Sequence, residues 1–179
     1  INPKMGEIYF AKSTIYLKQS KIKKAEISLL SGIKILPKNF KAIFQLGNIY
    51  LMEKNYEKAI KEFDKAIKIK KDFWQAINNQ GLAYFELNKI NLSIISFKKA
   101  IELEENAEPL LALASCLKNK DINKAIVLAK KALNKDPNYV DFNYRKEQLW
   151  GEKLQISTEK LFENPQIKKE ILVAKTKIK

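Results

Sequence analysis

FKAIFQLGNIYLMEKNYEKAIKEFDKAIKI, residues 40–69, decides how this chain folds. In its first half Ile43, Leu46, Tyr50 and Leu51 keep helical spacing, with Gly47 on the same side. Lys54-Asn55 interrupts the pattern, and Asn55 is suited to N-cap a second helix, since its side chain can accept from an unpaired N–H of the first turn. The second half sets Ala59, Ile60, Phe63, Ala66, Ile67 and Ile69 on one face, with Lys58, Lys61, Lys65 and Lys68 mostly on the other. The stretch reads as two amphipathic helices joined by a short polar turn. Asp72 is placed to cap the next helix, which begins near Phe73 and carries Trp74, Ile77, Gly81 and Tyr84.

The same pattern stands 34 residues away in both directions. Ser13, Gly47 and Gly81 are in register, as are Tyr16, Tyr50 and Tyr84. So are Ala25, Ala59 and Ser93; Leu29, Phe63 and Phe97; and Gly32, Ala66 and Ala100. Small residues recur at three places and large apolar ones between them, the mark of a stack of like helix pairs. Antiparallel helices approach closely only where one side lacks bulk. Gly47 and Ala59 therefore mark the expected crossing within a pair and Ala66 the expected contact with the next, with Tyr50 and Phe63 filling the space around them.

This arrangement resembles the tetratricopeptide repeat family. The resemblance runs through LGNIY (46–50), YEKAI (56–60), Phe63 and KAI (65–67), and returns as QGLAY (80–84), Ser93, Phe97 and KKAIEL (98–103). It implies an all-α fold, a right-handed superhelix of antiparallel helix pairs with a C-terminal capping helix. Four repeats are expected at about 6–39, 40–73, 74–106 and 107–139. The first is degenerate, with Lys12 at a position where the family usually has Leu, though Pro37 matches the family's closing proline. The fourth lacks a residue in its inner turn. Residues 140–164 are expected to cap the stack, as one helix over 140–156 and a short one over 157–163, followed by a Lys-rich tail at 165–179. RKEQLWGEKL (145–154) resembles the ends of small repeat proteins of photosynthetic bacteria, which would imply a part in assembling photosynthetic complexes.

Composition narrows the function. Hydrophobic residues make up 46% of the 179, enough for a continuous core, while 5 Gly and 5 Pro supply few tight turns. There is no His, and Cys116 is the one cysteine, so disulfides, His-based metal sites and Ser-His or Cys-His pairs cannot form within the chain. Cys116 lies on an apolar helical stretch and reads as a buried small residue. The glycines are too dispersed to cradle a phosphate. No enzyme, cofactor or small-molecule substrate is expected. The net charge of +14 would favour acidic partners or an anionic surface. Nucleic acid fits poorly, because bidentate readout prefers arginine and only Arg145 is present. The excess of lysine over arginine also has the look of AT-rich coding. The expected location is the cytoplasm, with room for membrane association through a segment upstream of Ile1.

In the family, the first helices of successive repeats line a concave groove where peptides lie. Carried onto this sequence, the groove residues are Lys41, Phe44, Gln45, Asn48, Leu51 and Met52 in the second repeat. The third supplies Gln75, Asn78, Asn79, Leu82, Phe85 and Glu86, the first Phe10, Thr14, Leu17 and Lys18, and the fourth Leu111, Ser115 and Lys118. Asn48 and Asn79 can donate and accept, which suits an extended peptide backbone. Phe44, Glu108 and Ala112 stand where family members that grip acidic tails carry basic residues, so a carboxylate clamp is rejected in favour of a mixed apolar and amide groove. The expected function is a protein-binding scaffold, with partner residues Lys41, Phe44, Gln45, Asn48, Met52, Gln75, Asn78, Asn79 and Phe85, in an assembly or maturation role. The alternative is a basic adaptor that docks on an anionic membrane or an acidic protein.

Overall fold

The computed structural model describes residues 2–178, and among these there is no strand. Eleven α-helices follow one another: α1 (Pro3–Lys18), α2 (Ile22–Ile35), α3 (Phe40–Met52), α4 (Tyr56–Ile69), α5 (Trp74–Glu86), α6 (Ile90–Leu103), α7 (Ala107–Leu117), α8 (Ile122–Lys135), α9 (Phe142–Glu147), α10 (Glu152–Phe162) and α11 (Lys168–Lys177). Two 3-10 turns, Pro137–Val140 and Pro165–Ile167, precede α9 and α11. No helix among the described residues is long and apolar enough to cross a membrane. The chain divides into two compact units, one ending at Ala76 and the other starting at Ile77.

Asparagines start several helices: Asn39 accepts from Ala42 N at 3.0 Å, Asn55 from Lys58 N at 3.4 Å and Asn106 from Glu108 N at 3.4 Å. Each satisfies an N–H that the first helical turn leaves unpaired. Asp72 takes a different part, offering its backbone carbonyl to Trp74 N at 2.9 Å.

The turns inside the helix pairs repeat as faithfully as the helices. Ser20, Lys54 and Asn88 all have positive φ (56°, 58° and 59°). The N–H of the following residue reaches back to a tyrosine carbonyl: Lys21 to Tyr16 and Asn55 to Tyr50 at 2.8 Å, Lys89 to Tyr84 at 2.9 Å. This is the Schellman closure, in which a left-handed residue lets the chain reverse while orphan carbonyls are paired. The recurring tyrosines thus sit at the last full turn of each first helix. Between α7 and α8 no left-handed residue occurs, and Lys120 and Asp121 both donate to Leu117 O at 2.8 Å. That turn is the one in which the sequence is short of a residue.

In the first unit α1 packs on α2, α2 on α3 and α3 on α4. A Cβ at Gly47 would lie 2.5 Å from Phe63 Cε1, so the absence of a side chain at 47 lets α3 close on α4 over the Phe63 ring. Ala59, Phe63 and Ala66 are fully buried there. In the second unit a Cβ at Gly81 would lie 2.7 Å from Phe97 Cε1, and Ser93 Oγ donates to Gly81 O at 2.9 Å.

The end of the chain departs from expectation. No single helix covers 140–156, and the helix after it does not begin at 157. Leu149 takes positive φ (67°), Trp150 N donates to Arg145 O at 3.1 Å, and the chain reverses into α10. The same closure that ends α1, α3 and α5 therefore cuts the expected capping helix in two. Helix α10 then packs on α7, while α11 packs on α8.

Candidate functional site

In the first unit the expected groove residues lie on α3 and at the start of α5. Lys41 is exposed and Met52 keeps 48% of its surface, while Gln45, Asn48 and Gln75 are half-buried. Phe44 is also half-buried, drawn into an aromatic cluster with Phe63 (5.8 Å between centroids) and Phe73 (4.9 Å). Phe40 meets Phe73 edge-on at 5.0 Å, and the Lys70 ammonium lies over both rings. Phe44 is therefore the floor of this face rather than a free probe, and Leu51 is buried outright. Phe10 also packs inward, against Gly32. The face offers a cation, three amides and a thioether over an aromatic floor.

The second unit differs. Asn78 is fully buried, and Asn79 and Phe85 are 8% and 7% exposed, so none of the three lies on an open groove. The chain's own segment 150–162 also lies on this unit, on Glu86, Glu108 and Ser115. Glu86 accepts from Leu154 N at 3.0 Å and from Lys153 N at 3.3 Å, taking two of the N–H groups that the start of α10 leaves unpaired. The Lys153 ammonium donates to Glu86 O at 2.6 Å. Gly151 makes this approach possible, since a Cβ there would stand 2.6 Å from Glu86 Oε1. Further along, Ser157 Oγ donates to Ser115 O at 2.9 Å, and the Ser115 and Thr158 hydroxyls share a hydrogen bond of 2.7 Å. At the near end, Trp150 Nε1 donates to Glu108 at 3.0 Å.

Glu108, at a place where some family members carry a base, thus receives an indole. Burial pushes its carboxyl up to about 7, and the hydrogen bonds from Trp150 and Asn78 only partly offset that. The side-chain amide of Asn78 donates to Asn79 Oδ1 at 3.1 Å, while its own Oδ1 has no hydrogen-bond partner.

Arg145 fixes the root of this segment. Its side chain is fully buried, with Nε on Gln155 (2.7 Å), Nη1 on the carbonyls of Tyr139 (2.7 Å) and Val140 (3.0 Å), and Nη2 on Glu159. Phe142 and Phe162 lie against the guanidinium. Four acceptors around one planar fork are a geometry that lysine cannot supply. In the sequence alone this arginine weighs only against nucleic acid. Its rarity among 34 basic residues is the one signal of a structural part.

No cluster of metal-ligating side chains occurs among the described residues. Burial raises the Cys116 thiol to about 12, although Ser93 Oγ lies at 3.6 Å. A cleft of about 450 Å³ between the α7–α8 turn and the end of α10 opens widely to solvent.

Residues 40–73 and 75–106 each match the tetratricopeptide repeat. The chain is similar in fold to the crystal structure of MamA protein, with 20% identity over 97% of this chain and 93% of that one and a TM-score of 0.72. It is similar to the first repeat domain of Spaghetti (RPAP3) bound to the HSP90 peptide SRMEEVD, at 21% identity over 66% and 95% with a TM-score of 0.64. YrrB, a repeat protein with an unusual peptide-binding site, is 19% identical over 94% and 90%, with a TM-score of 0.65. No curated protein matches the sequence. Residues 40–73 and 75–106 of this chain are thus two tetratricopeptide repeats, with further helix pairs before and after them.

Proposed function

We propose that this protein is a non-enzymatic scaffold that holds an extended segment of a partner protein against α3, in the assembly or maturation of a larger complex. The observation that carries the reading is the first-unit face itself. Lys41 and Met52 are exposed at its two ends, and Gln45 and Asn48 stand half-buried between them above the aromatic floor. Side-chain amides can pair with both the N–H and the C=O of an extended backbone, and Met adapts its shape to apolar side chains. Lys41 favours an acidic group at one end of the ligand. The Spaghetti domain is a repeat structure of like fold bound to a short peptide, which supports a peptide as the class of ligand.

The test is site-specific photo-crosslinking from position 48 in the native cell, with mass spectrometry of the adduct, alongside Gln45→Ala with Asn48→Ala. The adduct is expected to map to one extended segment of a partner, and the double variant to lose at least tenfold in affinity for that segment while its helical circular dichroism stays unchanged. Undiminished affinity in the double variant would overturn the assignment of this face.

A further inference from the structure

One side of α1 is an apolar stripe with a charge at its centre. Met5, Ile8 and Ile15 keep 45%, 57% and 55% of their surface, on the side of the helix turned away from the buried Gly6, Phe10 and Ser13. Lys12 stands between Ile8 and Ile15, and its ammonium rests on the Tyr16 ring at 5.7 Å. Lys4 and Lys18 lie beside the stripe near its two ends. None of the three lysines makes an ion pair among the described residues.

The stripe is in register with surfaces that this chain covers elsewhere. Ile8, Lys12 and Ile15 correspond, 34 residues on, to Ala42, Leu46 and Ile49. Those three are buried on α3, which packs on α2. In the second unit Leu113 and Cys116 hold the places of Lys12 and Ile15 on α7. Both are buried, α7 packs on α6, and the Ser93 hydroxyl of α6 is 3.6 Å from the Cys116 sulfur. In each unit, then, the surface at these places is met by the second helix of a pair. On α1 alone it is exposed, with a cation where Leu46 and Leu113 are apolar.

We propose that Met5, Ile8, Lys12 and Ile15 form a docking surface for an amphipathic helix of a partner protein, one that sets a carboxylate among its apolar residues to meet Lys12. The covered counterparts on α3 and α7 give the form of the occupant, a helix. The charge gives its chemistry: an apolar stripe buries the three aliphatic side chains, and a lysine enclosed in that contact needs an acid opposite it. A second copy of this chain is a poor occupant, because pairing α1 with itself sets Lys4, Lys12 and Lys18 against the same lysines. The inference goes beyond the scaffold reading, adding to the α3 face a contact made by other residues with a segment of another form.

The probes are two fluorescent, hydrocarbon-stapled synthetic helices, each with a stripe of leucines at alternating spacings of three and four. The central place of the stripe carries glutamate in one and lysine in the other. Both are titrated by anisotropy into the full-length wild type, Lys12→Glu, and Ile8→Ser with Ile15→Ser. The glutamate helix is expected to bind the wild type at least tenfold tighter than the lysine helix, with the order reversed in Lys12→Glu, since like charges brought together in a contact are strongly disfavoured. The Ile8, Ile15 variant is expected to lose both while its circular dichroism stays unchanged. Equal binding of the two helices to the wild type, or undiminished binding by the Ile8, Ile15 variant, overturns the proposal. In the native cell, a photo-crosslinker at position 15 is expected to mark an acidic amphipathic helix of another protein, and Lys12→Glu to abolish the adduct. No adduct, or adducts confined to lipid or to this protein's own sequence, overturns the choice of occupant. Gln45→Ala with Asn48→Ala must leave the titrations unchanged, which separates failure of this inference from failure of the α3 reading.

Discussion

Phe10 and Gly32 exchange the parts that Gly47 and Phe63 play one repeat later. In the second repeat the gap is on the first helix, at Gly47, and the ring on the second, at Phe63. In the first repeat Ser13 and Leu29 hold those two places, while the ring has moved to Phe10 on α1 and the gap to Gly32 on α2. In each repeat a ring on one helix meets a residue without a side chain on the other, even though the two helices that supply them are interchanged. This is how the degenerate first repeat still closes.

Gly47→Ala tests that account. Alanine gains up to about 1 kcal/mol of helix propensity over glycine. Against this, its methyl would stand 2.5 Å from Phe63 Cε1, and overpacking a filled crossing costs about 1–3 kcal/mol. The overpacking wins, so urea denaturation is expected to show a net loss of about 1 kcal/mol or more. Gly47→Ala with Phe63→Leu should recover part of it.

Lys54 holds a left-handed conformation that costs a non-glycine residue about 1–2 kcal/mol. Glycine removes that strain and adds unfolded-chain entropy of about 0.5–1 kcal/mol. Lys54→Gly should therefore stabilise the fold by about 0.5–1 kcal/mol. Asn88→Gly should gain less, because asparagine tolerates this region. The two denaturation midpoints, taken at constant slope, check the order.

Glu108 gives a signed pH dependence. Its folded value, about 7, lies above the ordinary 4.5, so between those limits the folded chain holds a proton that the unfolded chain has lost. Its contribution to stability is fully present below pH 4.5 and fades as the pH climbs through 7. Glu108→Gln keeps an acceptor for the Trp150 indole and removes the titration. The difference in Tm between variant and wild type should thus move in the variant's favour from about pH 5 to about pH 7.5. A difference that stays flat over that range would refute the assignment.

Arg145→Lys is the exchange that surface logic would pass over. Lysine has three donors on one point, against a fork that meets Gln155, Glu159 and two carbonyls in fixed directions. Leaving such a buried set half-satisfied is expected to cost about 3 kcal/mol. Hydrogen exchange in α10 should rise along with the loss of global stability.

The helix pairs are legible in the sequence because a period of 34 is a packing statement. Gly47, Ala59, Phe63 and Ala66 alternate in bulk as a helix crossing demands, and no distant residue is needed to read them. The inner turns are legible as turns, but the recurring left-handed residue is not, since Ser20, Lys54 and Asn88 share no chemistry and the conformation is set by the Schellman hydrogen bonds. Leu149 hides the same closure in an apolar residue, which is why 140–156 reads as one helix. The burial of Asn78 and Asn79 and the return of residues 150–162 onto Glu86 and Ser115 lie furthest from view. Position in a repeat says which way a side chain points, and it carries no record of which distant residues come back to meet it.

Arg145 also marks the limit of charge exchange in this chain. Every basic residue but one is a lysine, and the one arginine stands where four acceptors and two rings surround the guanidinium. Swapping one cation for another is least tolerable at the place where the shape of the head group, and not its charge alone, is what the neighbours read.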